Sequence, residues 1–224
     1  MATPEIKLLT PAEQERFGRL YAYTESVLAA DRTGHSLDHI NRVLANAVLL
    51  LHDTPEADAL TVVAAATLHD TYDDKLVESV PAARRKTASI LADTGFDQSS
   101  ADAILSIIDQ MSYHYSLDHD VALDLNGQLV QDADRLDAIG AIGIARTFYY
   151  GGAHGSQLYG GEVRSQLSGS EYRHTSSVLN HFDEKLFKLV DQLNTSAAQR
   201  IGAHRQQVMH DFVDEFKAEV NGAK

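Results

Sequence analysis

The chain has 224 residues and a formal net charge of −13 at pH 7, because 32 acidic residues outnumber 19 basic ones. Hydrophobic residues make up 44% of it, which is ordinary for a globular protein and argues against a mostly disordered chain. The acidic balance disfavours binding to duplex nucleic acid, and the absence of cysteine excludes disulfides, thiolate metal sites and thiol nucleophiles.

The N-terminal residues 1–10 do not have the pattern of a signal peptide. The longest apolar stretches are short and are interrupted by polar residues, so the sequence predicts no membrane span. We therefore expect a soluble, cytoplasmic protein without a membrane partner. Any metal site would use histidine and carboxylate ligands, and 11 histidines are available.

The spacing of apolar residues predicts helices almost throughout. Thr10-Pro11-Ala12-Glu13 combines an N-cap, a proline in the first turn and a capping-box glutamate, and it begins a helix that ends near Ala30. Thr54-Pro55-Glu56 repeats this signal, so we expect a helix over residues 55–69 with an apolar, buried middle. The other predicted helices span about residues 37–51, 82–94 (ended by Gly95), 99–112, 128–149, 173–193 and 196–220.

Two segments interrupt this helical pattern. Residues 121–127 fit either a short extended piece or a loop. Residues 151–172 contain several glycines and predict an irregular insertion. Since the sequence shows neither an alternating strand pattern nor a repeat or linker, it predicts a single all-α domain over residues 1–224.

The segment His69-Asp70-Thr71-Tyr72-Asp73-Asp74-Lys75 follows the most apolar predicted helix. Imidazole and carboxylate together suit divalent Mn, Fe, Zn or Mg. Neighbouring helical residues project about 100° apart, so His69 and Asp70 can share an ion only if it lies between them and other helices supply further ligands. The pair alone is weak evidence, because His52-Asp53 is a second such pair, which we assign to a helix end.

Further candidate ligands occur in two other predicted helices. His35 and His39 lie four residues apart, and therefore on one helical face. Asp132 and Asp134 lie in an otherwise apolar helix. They project about 200° apart, so at most one of them faces an ion directly, and helical geometry does not decide which.

The ordered set His-x-x-Arg-Val, His-Asp and Ala-Asp-Arg-Leu resembles the HD-domain superfamily of metal-dependent phosphohydrolases. Within it, the chain is most similar to small bacterial nucleotide pyrophosphohydrolases. The similarity extends from about residue 15 to 218, with its hallmarks in residues 34–43, 69–76 and 130–143 and a further match in residues 181–186.

The resemblance implies a divalent cation, with Mn or Mg favoured, and four ligands: His39, His69, Asp70 and Asp134. It favours His39 over His35 because the first ligand of the family lies one turn before a valine, here Val43. It favours Asp134 because this is the aspartate of Ala-Asp-Arg-Leu. His35 and Asp132 would then orient ligands or contact the substrate.

Asp73 and Asp74 correspond to a Glu-Asp pair that assists the attacking water in alarmone-hydrolysing members of the superfamily. We expect Asp74 to be the general base, since on a continuing helix it returns to the face of Asp70. Cations available for phosphate oxygens are Arg42, Lys75 and Arg146, the last of which is equally well explained as a surface side chain.

The resemblance implies hydrolysis of a nucleoside or deoxynucleoside triphosphate to the monophosphate and pyrophosphate. Hydrolysis of a guanosine alarmone or of a nucleotide phosphomonoester is an alternative. A nucleotide-sensing HD protein without turnover is an alternative from another functional class. The sequence makes no prediction of the oligomeric state.

Overall fold

The computed structural model describes residues 3–29, 36–74, 76–119, 122–164 and 177–223. Ten α-helices and one π-helical turn form the described structure: α1 (Pro11–Leu28), α2 (Leu37–His52), α3 (Ala59–Leu68), α4 (Val80–Asp93), α5 (Gln98–Gln110), α6 (Tyr113–Asp118), α7 (Leu125–Asp137), α8 (Gly140–Ala153), the π-helical turn (Phe182–Leu186), α9 (Phe187–Asp191) and α10 (Ser196–Val220). These ranges contain no strand, so the all-α prediction is confirmed. None of the described helices is both long and apolar enough to cross a bilayer.

The chain forms two compact units. The first comprises Met1–Ser116 and Asp120–Asp134, and the second comprises Leu117–His119 and Arg135–Lys224. Helices α1 to α5 belong to the first unit, together with α7 up to Asp134, and helices α8 to α10 belong to the second. That the whole chain is one HD domain stays a prediction.

Helix α3 is the centre of the first unit, where it packs against α1, α2 and α5. Every residue from Val62 to Leu68 is buried, which confirms the predicted apolar middle. The Thr24 hydroxyl of α1 donates a hydrogen bond to the Thr67 carbonyl of α3 at 3.0 Å. His69, which follows this helix, has a side chain that is only 6% exposed.

The predicted beginning of α3 at residue 55 is wrong. The helix begins at Ala59, and the Asp58 carboxylate accepts a hydrogen bond from the Thr61 backbone N–H at 2.6 Å as its N-cap. The Thr54 hydroxyl instead donates to the Leu50 carbonyl at the end of α2. A threonine hydroxyl can either cap the start of the next helix or donate to a carbonyl at the end of the preceding one, and Thr54 does the second.

Two predicted helix ends are confirmed. The Thr10 backbone N–H donates to the Glu13 carboxylate at 2.8 Å, and the Glu13 N–H donates to the Thr10 hydroxyl, which completes the capping box of α1. Gly95 follows α4 with a φ of +87°, and the Phe96 N–H returns to the Leu91 carbonyl. This is the left-handed glycine termination that the sequence indicated.

The predicted helix over residues 128–149 is two helices, α7 and α8, separated at residues 138–139. Gly140 has a φ of +74°, which an α-helix does not allow, and a Cβ there would lie 2.9 Å from Cγ of Arg205. A Cβ on Gly143 would lie 2.3 Å from the Ala138 carbonyl oxygen. The sharp break therefore requires both glycines, which the apolar periodicity alone did not reveal.

The segment after α8 also differs from the prediction. Helix α8 continues to Ala153, so the irregular insertion does not begin at residue 151. Residues 154–164 are irregular as expected, and residues 165–176 lie outside the described ranges. The helix predicted over residues 173–193 is confirmed in part: residues 180–191 are helical, with the π-helical turn leading directly into α9, which ends at Asp191.

We predict that Gly140→Ala destabilises the protein by about 1–2 kcal/mol, because an L-residue resists the left-handed conformation and its Cβ would crowd Arg205. Gly152→Ala in the same helix is the control, since a Cβ there meets no atom within 4 Å. It should leave stability unchanged or raise it by up to about 1 kcal/mol. Urea denaturation measures both, and equal stability of the two variants would contradict the steric explanation.

Candidate metal centre

Two imidazoles and two carboxylates of the first unit converge on one point. The Nε2 atoms of His39 and His69 lie 3.1 Å apart. Asp70 places one carboxylate oxygen 3.4 Å from His69 Nε2 and the other 3.6 Å from His39 Nε2. Asp134 Oδ1 lies 3.4 Å from His39 Nε2 and 4.0 Å from His69 Nε2. The structure thus brings together all four residues that the sequence proposed as ligands.

Helix α2, the end of helix α3 and helix α7 place these four side chains. His39 lies on the buried face of α2, one turn before Val43. His69 is the C-cap residue of α3, so the most deeply buried helix of the unit delivers it and Asp70 to the interior. Asp134 belongs to α7. The side chains of His39, His69 and Asp70 are 3%, 6% and 7% exposed, whereas that of Asp134 is 33% exposed, so solvent reaches the cluster at Asp134.

The hydrogen bond at the other nitrogen of His69 orients its ring. Nδ1 lies 2.8 Å from the Ala66 carbonyl oxygen, which can only accept, so Nδ1 carries the proton. In the neutral ring Nε2 then offers a lone pair to the cluster. A histidine that ligates a metal commonly has this arrangement, in which a carbonyl fixes the tautomer of the ligand.

The donor set fits a divalent cation. The ligand atoms of His39, His69 and Asp70 lie within 4.8 Å of one another. Ligands about 2.1 Å from a common ion and at right angles to each other lie about 3 Å apart, close to the shortest separations in the cluster. A cation between these imidazoles and carboxylates would offset the charge of the carboxylates and accept the lone pairs that face it.

The turn after Asp70 does not have the helical geometry that the sequence analysis assumed. Helix α3 ends at Leu68, and residues 70–74 form turns, with the Asp73 N–H donating to the Asp70 carbonyl at 3.3 Å. The expectation that Asp74 shares a helical face with Asp70 is therefore wrong. Asp74 is exposed and Asp73 is half-buried.

Side-chain hydroxyls attach this turn to the neighbouring helices, which the sequence analysis missed. The Thr71 hydroxyl contacts the Thr87 hydroxyl of α4 at 3.1 Å. The Tyr72 hydroxyl donates to Asp109 of α5 at 3.0 Å, and Arg84 of α4 forms a bidentate pair with the same carboxylate. Burial, together with the charge of Asp109, raises the pKa of Tyr72, so its hydroxyl keeps its proton and remains a donor.

A second missed contact joins α2 to α7. The Asn46 side-chain amide donates to the carbonyl of Ala133 at 3.0 Å, and Asn46 is buried. The signal in the sequence was the position of Asn46, seven residues and two turns after His39, on a face that is otherwise apolar. A polar residue at such a position needs a buried partner.

The other sequence candidates lie in different surroundings. Asp132 is fully buried in α7, and Arg42 is half-buried in α2. Arg146, in the second unit, forms an ion pair with the buried carboxylate of Asp137, which accounts for it without a phosphate. His35 and Lys75 lie outside the described residues.

The similarity segment over residues 181–186 includes the π-helical turn of the second unit. Buried Glu184 pairs there with Arg164, whose terminal nitrogen lies 2.6 Å from the carboxylate. The loss of solvent around His181, with a further contribution from Lys185, lowers the pKa of this imidazole to about 3. This histidine is therefore neutral at pH 7, and the Arg164–Glu184 ion pair ties the irregular segment before residue 165 to the turn.

Comparison with known proteins places this geometry in a family. A model of the HD domain matches residues 36–139, the segment that contains all four clustered side chains. The chain is 34% identical over 219 residues to YpgQ of Bacillus subtilis, an uncharacterised protein, and the alignment covers 97% of both chains.

Solved structures agree with this comparison. A protein from Lactobacillus plantarum is 41% identical, with a TM-score of 0.83 over 93% of this chain and 98% of its own. YpgQ in complex with ADP is 32% identical, with a TM-score of 0.75 over 93% and 96%. An HD-superfamily hydrolase from Bacillus thuringiensis is 35% identical, with a TM-score of 0.74 over 93% and 98%. The likeness thus extends over nearly the whole chain and includes the elements that carry the cluster, and on this evidence the chain belongs to the HD-domain superfamily of metal-dependent phosphohydrolases.

Proposed function

We propose that this chain hydrolyses nucleoside or deoxynucleoside triphosphates to the monophosphate and pyrophosphate. The observation that carries the proposal is the convergence of two imidazole nitrogens and two carboxylates beside solvent, with separations of 3.1–4.0 Å. A cluster of this kind binds a divalent cation, and such cations serve phosphoryl-transfer sites by binding phosphate oxygens.

The proposed cation is Mn²⁺ or Mg²⁺, held by the four clustered side chains. Both ions accept carboxylate ligands and are common partners of nucleotide phosphates, while the two imidazoles suit Mn²⁺. When bound, the cation supplies Lewis-acid chemistry that makes water more acidic and offsets phosphate charge. Partly exposed Asp134 marks the side from which a substrate approaches.

The nucleotide substrate is supported by a relative and by the charge of this chain. YpgQ, 32% identical over most of the chain, has been solved with ADP. A chain with a net charge of −13 repels a polyphosphate unless a cation reverses the sign locally. A cation that contacts the phosphates would allow this acidic chain to bind a nucleotide.

In the proposed mechanism, the protein's own residues position the substrate and accept a proton. Asp73 and Asp74, directly after Asp70 in the turn, are the candidates to take the proton from the attacking water. Half-buried Arg42 of α2, three residues after His39, is the candidate to hold a phosphate oxygen. His35 and Lys75 are further candidates for substrate contacts, and Asp132 is a candidate to orient a ligand.

We predict that His69→Ala and Asp70→Ala both lose bound Mn²⁺ and activity, because each removes a ligand from a buried cluster. His39→Ala should weaken Mn²⁺ binding more than His35→Ala. The matched control is His52→Ala, which alters the exposed His-Asp pair at the end of α2 and should retain metal. Elemental analysis of the purified variants measures this, and wild-type metal content in His69→Ala would refute the proposed site.

We predict that an Asn substitution at the proton-accepting carboxylate, Asp73 or Asp74, preserves the metal but lowers turnover. Asparagine keeps the size of the side chain and loses its basicity, and general-base assistance is typically worth about 10²–10⁴-fold. Turnover of Asp73→Asn and Asp74→Asn at saturating Mn²⁺ and nucleotide, with metal content measured in parallel, tests both positions. If both variants stay within about threefold of wild type, neither carboxylate is the base.

The substrate class is tested with a nucleotide panel in the presence of Mn²⁺. We expect nucleoside or deoxynucleoside triphosphates to give monophosphate and pyrophosphate in one step, with no product from His69→Ala. Cleavage of a guanosine alarmone or release of orthophosphate from monophosphates would contradict the proposed reaction while leaving a phosphohydrolase. Nucleotide binding without any product would identify a sensor.

A further inference from the structure

Helices α2 and α7 meet at two polar contacts on neighbouring residues of α7. His39 of α2 lies 3.4 Å from the Asp134 carboxylate, and Asn46 donates to the carbonyl of Ala133 at 3.0 Å. His39 and Asn46 are seven residues apart, which is two helical turns and about 10 Å along one face. The two contacts therefore fix the same short piece of α7 from two points of α2.

The Asn46 hydrogen bond does not compete with the structure of α7 itself. A helical carbonyl uses one lone pair for the N–H four residues later and keeps the second for another donor. The Asn46 amide can therefore be removed without breaking the backbone of α7. The bond therefore does not hold α7 together, but it fixes the position of α7 relative to α2.

Apolar packing alone does not determine the register of α7. The buried apolar residues of this helix include Leu129, Val130, Ala133 and Leu136. Close packing limits large movements of the helix, but hydrophobic contact is not directional and sets no single distance for one side chain. A hydrogen bond requires a specific distance and angle, and a single buried asparagine can specify helix register in this way.

We propose that Asn46 is a positioning residue, which holds α7 in the register that brings the Asp134 carboxylate to His39. Neighbouring residues of a helix are fixed about 100° and 1.5 Å apart, so any movement that takes the Ala133 carbonyl from Asn46 also moves Asp134. The inference rests on the proposed metal centre. It adds that the fourth ligand depends on an amide outside the ligand set.

Further polar contacts within the first unit also orient α7, among them a hydrogen bond from the Asp58 N–H to the Asn126 side-chain oxygen at 2.9 Å. The Gln131 side-chain amide donates to the carbonyl of Met111, the C-cap residue of α5, at 2.9 Å. Gln131 lies three residues before Asp134 and is buried. This contact attaches α7 to α5, whereas Asn46 attaches it to the helix that carries His39, so Asn46 controls the distance between the two ligands.

The test compares Asn46→Leu with Gln128→Leu. Leucine has the same number and branching of side-chain heavy atoms as asparagine but a larger volume, and it cannot donate a hydrogen bond. The Gln128 amide donates at 2.9 Å to the carbonyl of Leu123, a residue just before α7, so it makes an amide–carbonyl bond without joining two helices.

Mn²⁺ affinity of the metal-free full-length chain is measured by isothermal titration calorimetry, and thermal unfolding of each metal-free protein is recorded. Asn46→Ala is a second variant in case leucine overpacks the site.

We expect Asn46→Leu to bind Mn²⁺ about tenfold or more weakly, the range typical when a residue that supports a ligand is removed, with a melting temperature near that of Gln128→Leu. Gln128→Leu should bind within about threefold of wild type. A folded Asn46→Leu and Asn46→Ala that both retain wild-type affinity, while His69→Ala loses it, would overturn the positioning role alone. Wild-type affinity in His69→Ala as well would overturn the metal centre and the positioning role with it.

Discussion

The candidate site of the first unit depends on two imidazoles and two carboxylates that are held close together in a largely buried place. The proton of His69 is on Nδ1, bound to the Ala66 carbonyl, so its Nε2 faces His39, Asp70 and Asp134 as a lone pair. A divalent cation would favour this arrangement, because it offsets the charge of the two carboxylates. The surrounding elements hold the four side chains close together.

The elements that carry the clustered side chains are held in place by different interactions. Helix α3 supplies His69 and Asp70 from the buried centre of the unit, where van der Waals packing leaves little freedom. The turn that follows is attached to α4 and α5 through Thr71, Tyr72 and the Arg84–Asp109 ion pair. Helix α7 contributes Asp134 from a more exposed position and is located by amide–carbonyl hydrogen bonds. The candidate site thus combines His69 and Asp70 at the end of a tightly packed helix with Asp134 on a helix that is partly exposed there.

The net charge of the chain bears on the proposed metal site. A net charge of −13 gives the chain no general attraction for phosphates, and a cation in the proposed site would reverse the sign of the charge locally. Three arginines of the described residues are paired with carboxylates: Arg84 with Asp109, Arg146 with Asp137 and Arg164 with Glu184. Affinity for a nucleotide polyphosphate would then follow the occupancy of the metal centre, which links substrate binding to the chemistry.

The sequence by itself determined the all-α class, most helices, the capping box of α1 and the glycine end of α4, because these depend on local periodicity and on residues that cap their own helix. It also indicated all four clustered side chains, because the ordered motifs identify the family without knowledge of the three-dimensional fold. Tertiary structure decided what depends on distant partners. Thr54 bonds to the preceding helix, so α3 begins at Ala59. The break at Gly140 depends on a left-handed backbone and on Arg205, far along the chain. Helix α3 ends at Leu68, so Asp74 does not share a helical face with Asp70. The contacts of Asn46 with α7 and of Tyr72 with α5 are visible only in the tertiary structure, because the partner of a buried amide or hydroxyl is set by packing.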